Sequence, residues 1–433
     1  MNSRPSSGGT RTVATVVIGA GQAGLTCSYY LRLLGVDHVV LERGDVGSSW
    51  RHQRWDSMHL LTPNGLNTLP GMDGPGSDPN GFMHKDVFAR KLLDYSMSIK
   101  APVLTQTEVL QVSAMSRNGG QRFRIDTRQG TWLCRSLIIA SGAFNQPRVP
   151  VFAKTLPDSI QQVSALEYRN PARLAEGPVL VVGASATGLQ LANEIRDSGR
   201  EVSLAVGEHV RLPRRYRGRD IFEWMDRYGI LSRTLEEADD INRVRNLPSP
   251  QLIGGVQDLD LNVLTDKGIQ LHGRLMGCQQ GKLQFSGSLN NVCELADLKM
   301  RRLLKIIDEG IDSANLDAPP SAPIAATQVP ARPELLKSAS EFRTLVWATG
   351  FKPDYSWLQL PVLDAKGRLK HREGVVDWPG VYVMGLPYMR QHKSSFICGV
   401  AQDARAVVAH LVGEMSEPVS RSAAGIRCLS LTL

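Results

Sequence analysis

A chain of 433 residues with 42% hydrophobic and 21% charged residues has material for two or three soluble globular domains. Its net charge of +8 has one dense basic run, RLPRRYRGR at 211–219, not the clustered footprint that nucleic-acid binding requires, and no stretch holds the roughly 18 unbroken apolar residues of a membrane span. The six cysteines (Cys27, Cys134, Cys278, Cys293, Cys398, Cys428) include no close pair, which argues against a disulfide framework, a zinc site or a CxxC redox pair and predicts a reduced, cytoplasmic, metal-free protein.

The opening MNSRPSSGGTRT lacks the apolar core of a secretory signal, and residues 1–11 read as a disordered tail rather than a short transit peptide. An apolar run at Ala14–Ile18 predicts a strand, the glycine turn after it a tight bend, and Ala23–Leu34 a helix. HVVLER (38–43) is a second strand, so the chain opens with a complete β-α-β unit. From Trp50 to Met72 the breakers Pro63, Gly65, Pro70 and Gly71 predict irregular structure. Residues 84–98 have helical spacing, and alternating runs at 108–115, 121–127 and 131–139 predict strands ending at IIASGAFNQPRVP.

A second apolar run, glycine turn and helix follow as VLVVGASATGLQLANEI (179–195). After the strand EVSLAV (201–206) comes a long excursion with helices predicted at 219–235 and 294–313. Its Phe222, Trp224 and Met225 either line a cavity or pack a helix, and packing is the simpler reading. DAPPSAPIAATQVPARPE (317–334) reads as a linker. The chain returns with TLVWATGFKPDYSWL, then GVYVMGLP and a helix from Gly399 to Val412. The expected organisation is an α/β protein of two Rossmann-like dinucleotide-binding domains, one inserted in the other: 12–155 and 326–413 form the first, 156–325 the second with its helical insertion, and 414–433 a flexible tail.

In a dinucleotide turn, one glycine permits the bend, one admits the pyrophosphate and one lets helix and strand pack. The helix N-terminus supplies free N–H groups and a positive dipole end. The first turn has all three as Gly19, Gly21 and Gly24. Glu42 stands 23 residues after Gly19, where a carboxylate would accept hydrogen bonds from a ribose 2′-hydroxyl. GxGxxG alone is weak evidence; strand, helix, second strand and terminal acid together make it strong. The second turn reads Gly183, Ser185, Gly188, and no acid closes its following strand in the matching way, because Glu208 lies in the connector. Arg211, Arg214 and Arg215 follow instead, and guanidinium groups suit a 2′-phosphate. The expected cofactors are FAD in the first cradle and NADPH in the second.

These residues resemble the flavin-containing monooxygenases of the two-dinucleotide-fold type, related to Baeyer–Villiger monooxygenases, and are most similar to their CzcO-like branch, also labelled as flavoproteins of potassium transport. The resemblance spans 14–412 and rests on GAGQAG with Glu42, SSWRHQRWDSMHLLTPN (48–64), ASGAFNQPRVP (140–150), GASATG and ATGFKPD (348–354). It implies that Trp50 and Arg51 lie along FAD, that Thr62 and Asn64 stand near the reacting face of the isoalloxazine, that Ala348, Thr349 and Gly350 link the cofactor domains, and that Gly385 closes over the flavin. It completes the cofactor set with Ala20, Gln22, Ala23, Arg43, Val109, Gly142, Ala186 and Thr187. The implied reaction is flavin reduction by NADPH, addition of dioxygen, and transfer of one oxygen from a flavin hydroperoxide to a nitrogen, sulfur or carbonyl centre of a small substrate. Asn64 is the candidate hydrogen-bond donor for that catalysis, against a plain turn role after Pro63; Trp50 and Trp55 read as packing. His84, His371 and His392 lie in no motif, and Lys393, Ser394 and Ser395 follow the flavin-closing segment.

One departure bears on mechanism. The family fingerprint FxGxxxHxxx(F/Y) falls at 158–168, where this chain has Asp158, Ile160 and Ser164, keeping Tyr168 and then Arg169-Asn170-Pro171. Weaker retention of oxidised nicotinamide would follow. Two competing readings are a reductase or oxidase passing electrons to a quinone or carrier protein, and a sensor of nucleotide state without turnover.

Overall fold

The computed structural model describes residues 9–115, 120 and 122–416. Most of the expected N-terminal tail, most of 414–433 and Cys428 lie outside them.

Two parallel sheets organise the molecule. In the first, Thr10–Ile18 runs parallel to His38–Leu41 on one side and to Gly130–Ile139 on the other. Val103–Leu104 extends the sheet beyond His38–Leu41, and Val381–Val383 joins Gly130–Ile139, both in parallel. Phe123–Thr127 and Val109–Ala114 extend it as an antiparallel wing, with Leu358–Gln359 parallel beyond Val109–Ala114 and Val375–Val376 and His371–Arg372 antiparallel beyond Val381–Val383. In the second sheet the order is Gln270–His272, Val202–Ala205, Val179–Val182, Thr344–Trp347 and Gln161–Ser164, all parallel. The inner strands VLVV, VSLA and TLVW are buried at every position. Continuous burial explains why they read as unbroken apolar runs: helices or loops cover both faces of such a sheet.

Thr344–Trp347 corrects the expected domain boundary. The return to the first domain comes after Trp347, not at 326, because this strand sits between Val179–Val182 and Gln161–Ser164 in the second sheet. The Pro/Ala-rich stretch before it has no helix or strand from 317 to 334, yet it does not leave the second domain. Thr327 donates to Asp297, and the Ala325 carbonyl accepts from Arg211. The two chain crossings between domains are paired, with Phe351–Lys352 antiparallel to Gln146–Pro147.

Two more boundaries moved. Thr10 and Arg11 already belong to the first strand, and the last helix runs Val400–Ser416, past 413. The helix expected over 219–235 is shorter. Arg215–Tyr216 and Arg219–Asp220 form a hairpin whose tip, Arg217 and Gly218, has φ of +43° and +81°, the left-handed pair that a two-residue hairpin turn demands. Asp220 then caps the helix Ile221–Arg227 by accepting from the Phe222 N–H at 2.8 Å, and Gly229 at φ +69° opens a short 3-10 turn beyond it. Phe222, Trp224 and Met225 are buried against Met300 and Ile307 of the long helix Leu289–Ser313, so packing is their role.

Candidate functional site

The two glycine turns have the same backbone solution. Gly19 has φ +106°, and a Cβ there would lie 2.5 Å from the Ala140 carbonyl oxygen. Gly183 has φ +113°, and its Cβ would collide with the Ala348 carbonyl oxygen. Gly24 and Gly188 face the carbonyls of Gly19 and Gly183 so closely that a Cβ at either would overlap them. Ala140 and Ala348 open the echoing ASG and ATG motifs, so each motif is the strand end that its own glycine turn packs against.

The helices that follow, Gln22–Leu33 and Ala186–Asp197, begin with extended residues, Gly21 (φ −82°, ψ −175°) and Ser185 (φ −86°, ψ −177°). Neither start has a side-chain cap. Uncapped N-terminal amides on a glycine-opened turn are the donor set a pyrophosphate uses. Beside Gly21 nothing lies within 4 Å of where a Cβ would stand, so backbone can be approached closely there. The cradles therefore fit dinucleotides on their own geometry.

Around the first cradle, Glu42 is half-buried and aimed back at the turn. Its carboxylate accepts from the N–H groups of Ala20 at 2.8 Å and Gly44 at 2.9 Å. Gln22 accepts from the Trp50 indole at 3.2 Å, and Trp50 meets Phe88 edge-on at 5.1 Å with the Arg54 guanidinium over its face. Gly385 lies against Ala23, its built Cβ 3.2 Å from the Ala23 methyl, and Gly142 (φ +88°) is exposed at the end of its strand. Arg43 is exposed, Arg51 is half-buried with its carbonyl accepting from Lys85, and Val109 starts the antiparallel wing opposite Thr127. Thr62 and Asn67 are bonded reciprocally, the Thr62 hydroxyl to Asn67 Oδ1 at 2.5 Å and Asn67 Nδ2 to the Thr62 carbonyl at 2.8 Å.

Asn64 is anchored in its turn. Its Nδ2 donates to the Asp78 carbonyl and its backbone N–H to the Gly81 carbonyl, both at 2.9 Å. The side-chain atom left without a partner is Oδ1, an acceptor. These bonds show the turn role; the second Nδ2 hydrogen has no bond in the turn.

A cleft of about 1060 Å³ runs from the second cradle to the rim of the first. Gly183, Ser185 and Thr187 form one end, and Ala143, Phe144, Leu386 and Pro387, neighbours of Gly142 and Gly385, the other. Ala348, Thr349 and Gly350 floor it; Gly350 has φ +91°, and the Thr349 hydroxyl donates to the Arg148 carbonyl. Arg148, Arg245, Arg274, Arg368 and Lys370 outnumber the Glu208 and Asp364 carboxylates in its lining, and Arg368 is paired with Asp364 at 2.9 Å. His371, also in its wall, is pushed down to about 4 by burial and the nearby Arg245, so it is a neutral imidazole near neutral pH.

The three connector arginines are elsewhere. Arg211 is 3% exposed and bonds Asp260 at 2.6 Å and Asp297 at 2.7 Å. Arg214 is fully buried, pairs with Asp220 at 2.6 Å, donates to the Leu61 carbonyl at 2.8 Å, and lies between the rings of Phe82 and Phe222. Arg215 is exposed, donates to the Gly218 carbonyl, and lines a separate cavity that shares no residue with the cleft. None of them faces the second cradle. A buried guanidinium needs carboxylates, and Asp220, Asp260 and Asp297 are those carboxylates.

Arg274, which no sequence motif marks, lines the cleft beside the second cradle. It follows the strand Gln270–His272, beside the end of Val202–Ala205, and its stem carbons lie 3.9 Å from where a Gly207 Cβ would be. Its guanidinium is exposed and has no ionic partner among the described residues. Glu208, next to Gly207, is drawn to Lys299 at 3.2 Å. The only signal was the position of a lone basic residue after the sheet's edge strand, which cannot be recognised before strand order is known.

The other singled-out side chains are structural. The His84 ring caps the helix Lys85–Ser98, His392 stacks on Tyr388, Lys393 pairs with Asp226 at 2.8 Å, and buried Ser394 accepts from the amides of Arg390 and Gln391. Among the described residues no group could hold a metal ion, and no helix is long and apolar enough to cross a membrane.

Comparison with known proteins agrees with this architecture. The pyridine nucleotide-disulphide oxidoreductase family model matches residues 16–219. The chain is 31% identical over 400 residues to an oxidoreductase of Geobacillus kaustophilus described as CzcO-like and uncharacterized, covering 92% of this chain and 97% of that one. Among solved structures it is similar to a flavin-containing monooxygenase from Stenotrophomonas maltophilia, with TM-score 0.66, 20% identity, and 94% and 100% of the two chains covered. OTEMO in complex with FAD and NADP superposes with TM-score 0.53 at 16% identity, over 93% of this chain and 84% of that one. With paired glycine-turn cradles and a near-full-length relative above 30% identity, the chain belongs to the family of CzcO-like oxidoreductases.

Proposed function

We propose that this oxidoreductase binds FAD in the first cradle and NADPH in the second and inserts one atom of dioxygen into a small organic substrate at a nitrogen, sulfur or carbonyl centre. The observation that carries the reading is that one chain builds the same glycine turn twice, and that the cleft lined by the second turn extends to Ala143, Phe144, Leu386 and Pro387, the chain neighbours of Gly142 and Gly385. Bound flavin would supply two-electron reduction by nicotinamide and the activation of dioxygen.

The chain's own residues do the rest. The amides at the start of Gln22–Leu33 and, beyond Ala186, those of Thr187 and Gly188 in Ala186–Asp197 receive the two pyrophosphates. Glu42, pre-oriented by the Ala20 and Gly44 amides, presents its remaining lone pairs to a ribose. Arg274 receives the 2′-phosphate, and Lys299 draws the Glu208 carboxylate to itself, lessening its repulsion of that phosphate. Phe144, Phe351, Leu386 and Pro387 give the cleft apolar walls where water must be excluded.

A second reading, a reductase or oxidase that passes its electrons on, is favoured by one observation. Ser164, at the fingerprint's histidine position, is 4% exposed, and its hydroxyl donates to Glu167 at 2.7 Å, so it has nothing to offer a nucleotide. The experiment is to supply NADPH and oxygen to the FAD-loaded protein with a panel of amines, sulfides and ketones, and to measure NADPH consumed, hydrogen peroxide released and oxygenated product. Product matching NADPH supports the oxygenase; NADPH consumed wholly into peroxide, or only with an added quinone, supports the second reading.

A further inference from the structure

Between residues 52 and 61 the first domain crosses onto the second. Trp55, 4% exposed, sits in the second domain's apolar cluster with Tyr168 and Leu191. The Asp56 N–H donates to the Arg169 carbonyl at 2.8 Å, and Asn170 Nδ2 to the Asp56 carboxylate at 2.6 Å. Arg169 donates to the His52 carbonyl at 2.5 Å. The Ser57 hydroxyl donates to Glu194 Oε2 at 2.5 Å, and the Tyr168 hydroxyl to Glu194 Oε1 at 3.3 Å. Further along, a Cβ on Gly254 would come within 2.5 Å of His59 Cβ, and Arg214 donates to the Leu61 carbonyl. Tyr168, the one residue kept from the fingerprint, shares the apolar cluster of Trp55, and Arg169 and Asn170, which follow it, bond His52 and Asp56 of this crossing.

Where Glu194 stands makes the crossing more than an interface. It belongs to the helix Ala186–Asp197, whose first turn is the second cradle. Ser57 lies five residues before Thr62, in the segment expected at the flavin face. One carboxylate therefore joins the nicotinamide carrier's helix to the flavin loop. Apolar burial of Trp55 supplies adhesion but no direction; hydrogen bonds to a carboxylate supply direction.

We propose that Glu194, held by Ser57 and Tyr168, is a positioning residue that sets the second cradle against the flavin loop and so aligns the nicotinamide with the flavin. The inference rests on the cofactor assignment made above. Its weight comes from geometry: hydride transfer needs reacting atoms about 3–3.5 Å apart, and a shift of about 1 Å can cost on the order of a hundredfold in rate.

The test compares full-length wild type with Glu194→Ala, Glu194→Gln and Ser57→Ala. Four readouts are needed: FAD content, affinity for 2′,5′-ADP by calorimetry, the anaerobic rate constant of flavin reduction at saturating NADPH, and amide hydrogen exchange in residues 55–61. Glu194→Ala should slow reduction about tenfold or more and speed exchange in 55–61, with FAD content and 2′,5′-ADP affinity within twofold of wild type. Glu194→Gln, which can still bond both hydroxyls, should recover to within about threefold, and Ser57→Ala should fall between. Reduction by Glu194→Ala within twofold of wild type overturns the inference, as does a slowing matched by lost 2′,5′-ADP affinity. If wild type itself is not reduced by NADPH, the cofactor assignment has failed; unchanged exchange in 55–61 of Glu194→Ala then shows separately that the tether is not there.

Discussion

The two cradles share one backbone and differ at their lips. Gly19 against Ala140 and Gly183 against Ala348 are the same close approach made twice, and Gly24 and Gly188 repeat the helix contact. Beyond the turn the likeness stops. The first strand-end carries Glu42, bonded to the Ala20 and Gly44 amides. The second carries Gly207, open beside Arg274, with Glu208 drawn to Lys299. The middle position is Gly21 in one and Ser185 in the other, and the Ala186 N–H, at the start of the second helix, is already given to the Ser249 carbonyl. Under the proposed assignment, what all dinucleotides have in common, the pyrophosphate, falls to the duplicated part, and what distinguishes them, the ribose edge, to the divergent part.

The comparison breaks first at the connector arginines. If Arg211 is a strut and not a phosphate ligand of the second cradle, Arg211→Ala leaves Asp297 buried without its cation. Thermal or denaturant unfolding should show a loss of about 3–5 kcal/mol, while the ratio of 2′,5′-ADP to ADP affinity stays unchanged. A changed ratio in a still-folded variant would return Arg211 to the nucleotide.

The next largest effect concerns the support behind the first cradle. Asp403 is 1% exposed in the helix Val400–Ser416, and burial raises its carboxyl to about 6 despite the Ser394 hydroxyl. A raised carboxyl pKa favours folding at low pH, and that advantage is lost as pH rises from the unfolded value near 4 through about 6. Asp403→Asn should therefore match wild type near pH 4 and exceed it above pH 7 by on the order of 2 kcal/mol. Melting curves across that range decide it, and a gain independent of pH would show that Asp403 is not titrating there.

Two smaller effects sharpen the lip assignment. Arg274→Ala should weaken 2′,5′-ADP about 10- to 100-fold and ADP less than twofold, the loss expected for a charge-assisted phosphate contact. Lys299→Met should free Glu208 to repel the 2′-phosphate and weaken 2′,5′-ADP about two- to fivefold, modest because the pair is partly exposed. Both are read by calorimetry, and equal losses for the two ligands would remove the phosphate role.

The cradles were legible in the chain because the backbone dictates their residues: a turn that close to Ala140 or Ala348 leaves no space for a side chain. The buried strands were legible for a similar reason, since VLVV and TLVW are apolar on both faces. The domain boundary was not, because proline and alanine describe a segment without regular structure equally well whether it links domains or crosses over one. The pairing of the connector arginines was not legible because charge in a sequence carries no direction. Arg211 and Arg214 look like ligands until Asp260, Asp297 and Asp220 arrive from 6 to 86 residues away. Arg274 looks like nothing until the strand order puts it next to Gly207.

The most direct measurement is the flavin absorbance per chain, with 2′,5′-ADP binding alongside, in purified wild type, Gly19→Val and Gly183→Val. The account predicts about one flavin per chain in wild type, none in Gly19→Val, and full flavin with lost 2′,5′-ADP binding in Gly183→Val. A colourless wild type that takes up neither added FAD nor 2′,5′-ADP, or variants in which both ligands disappear together from a folded protein, would contradict it.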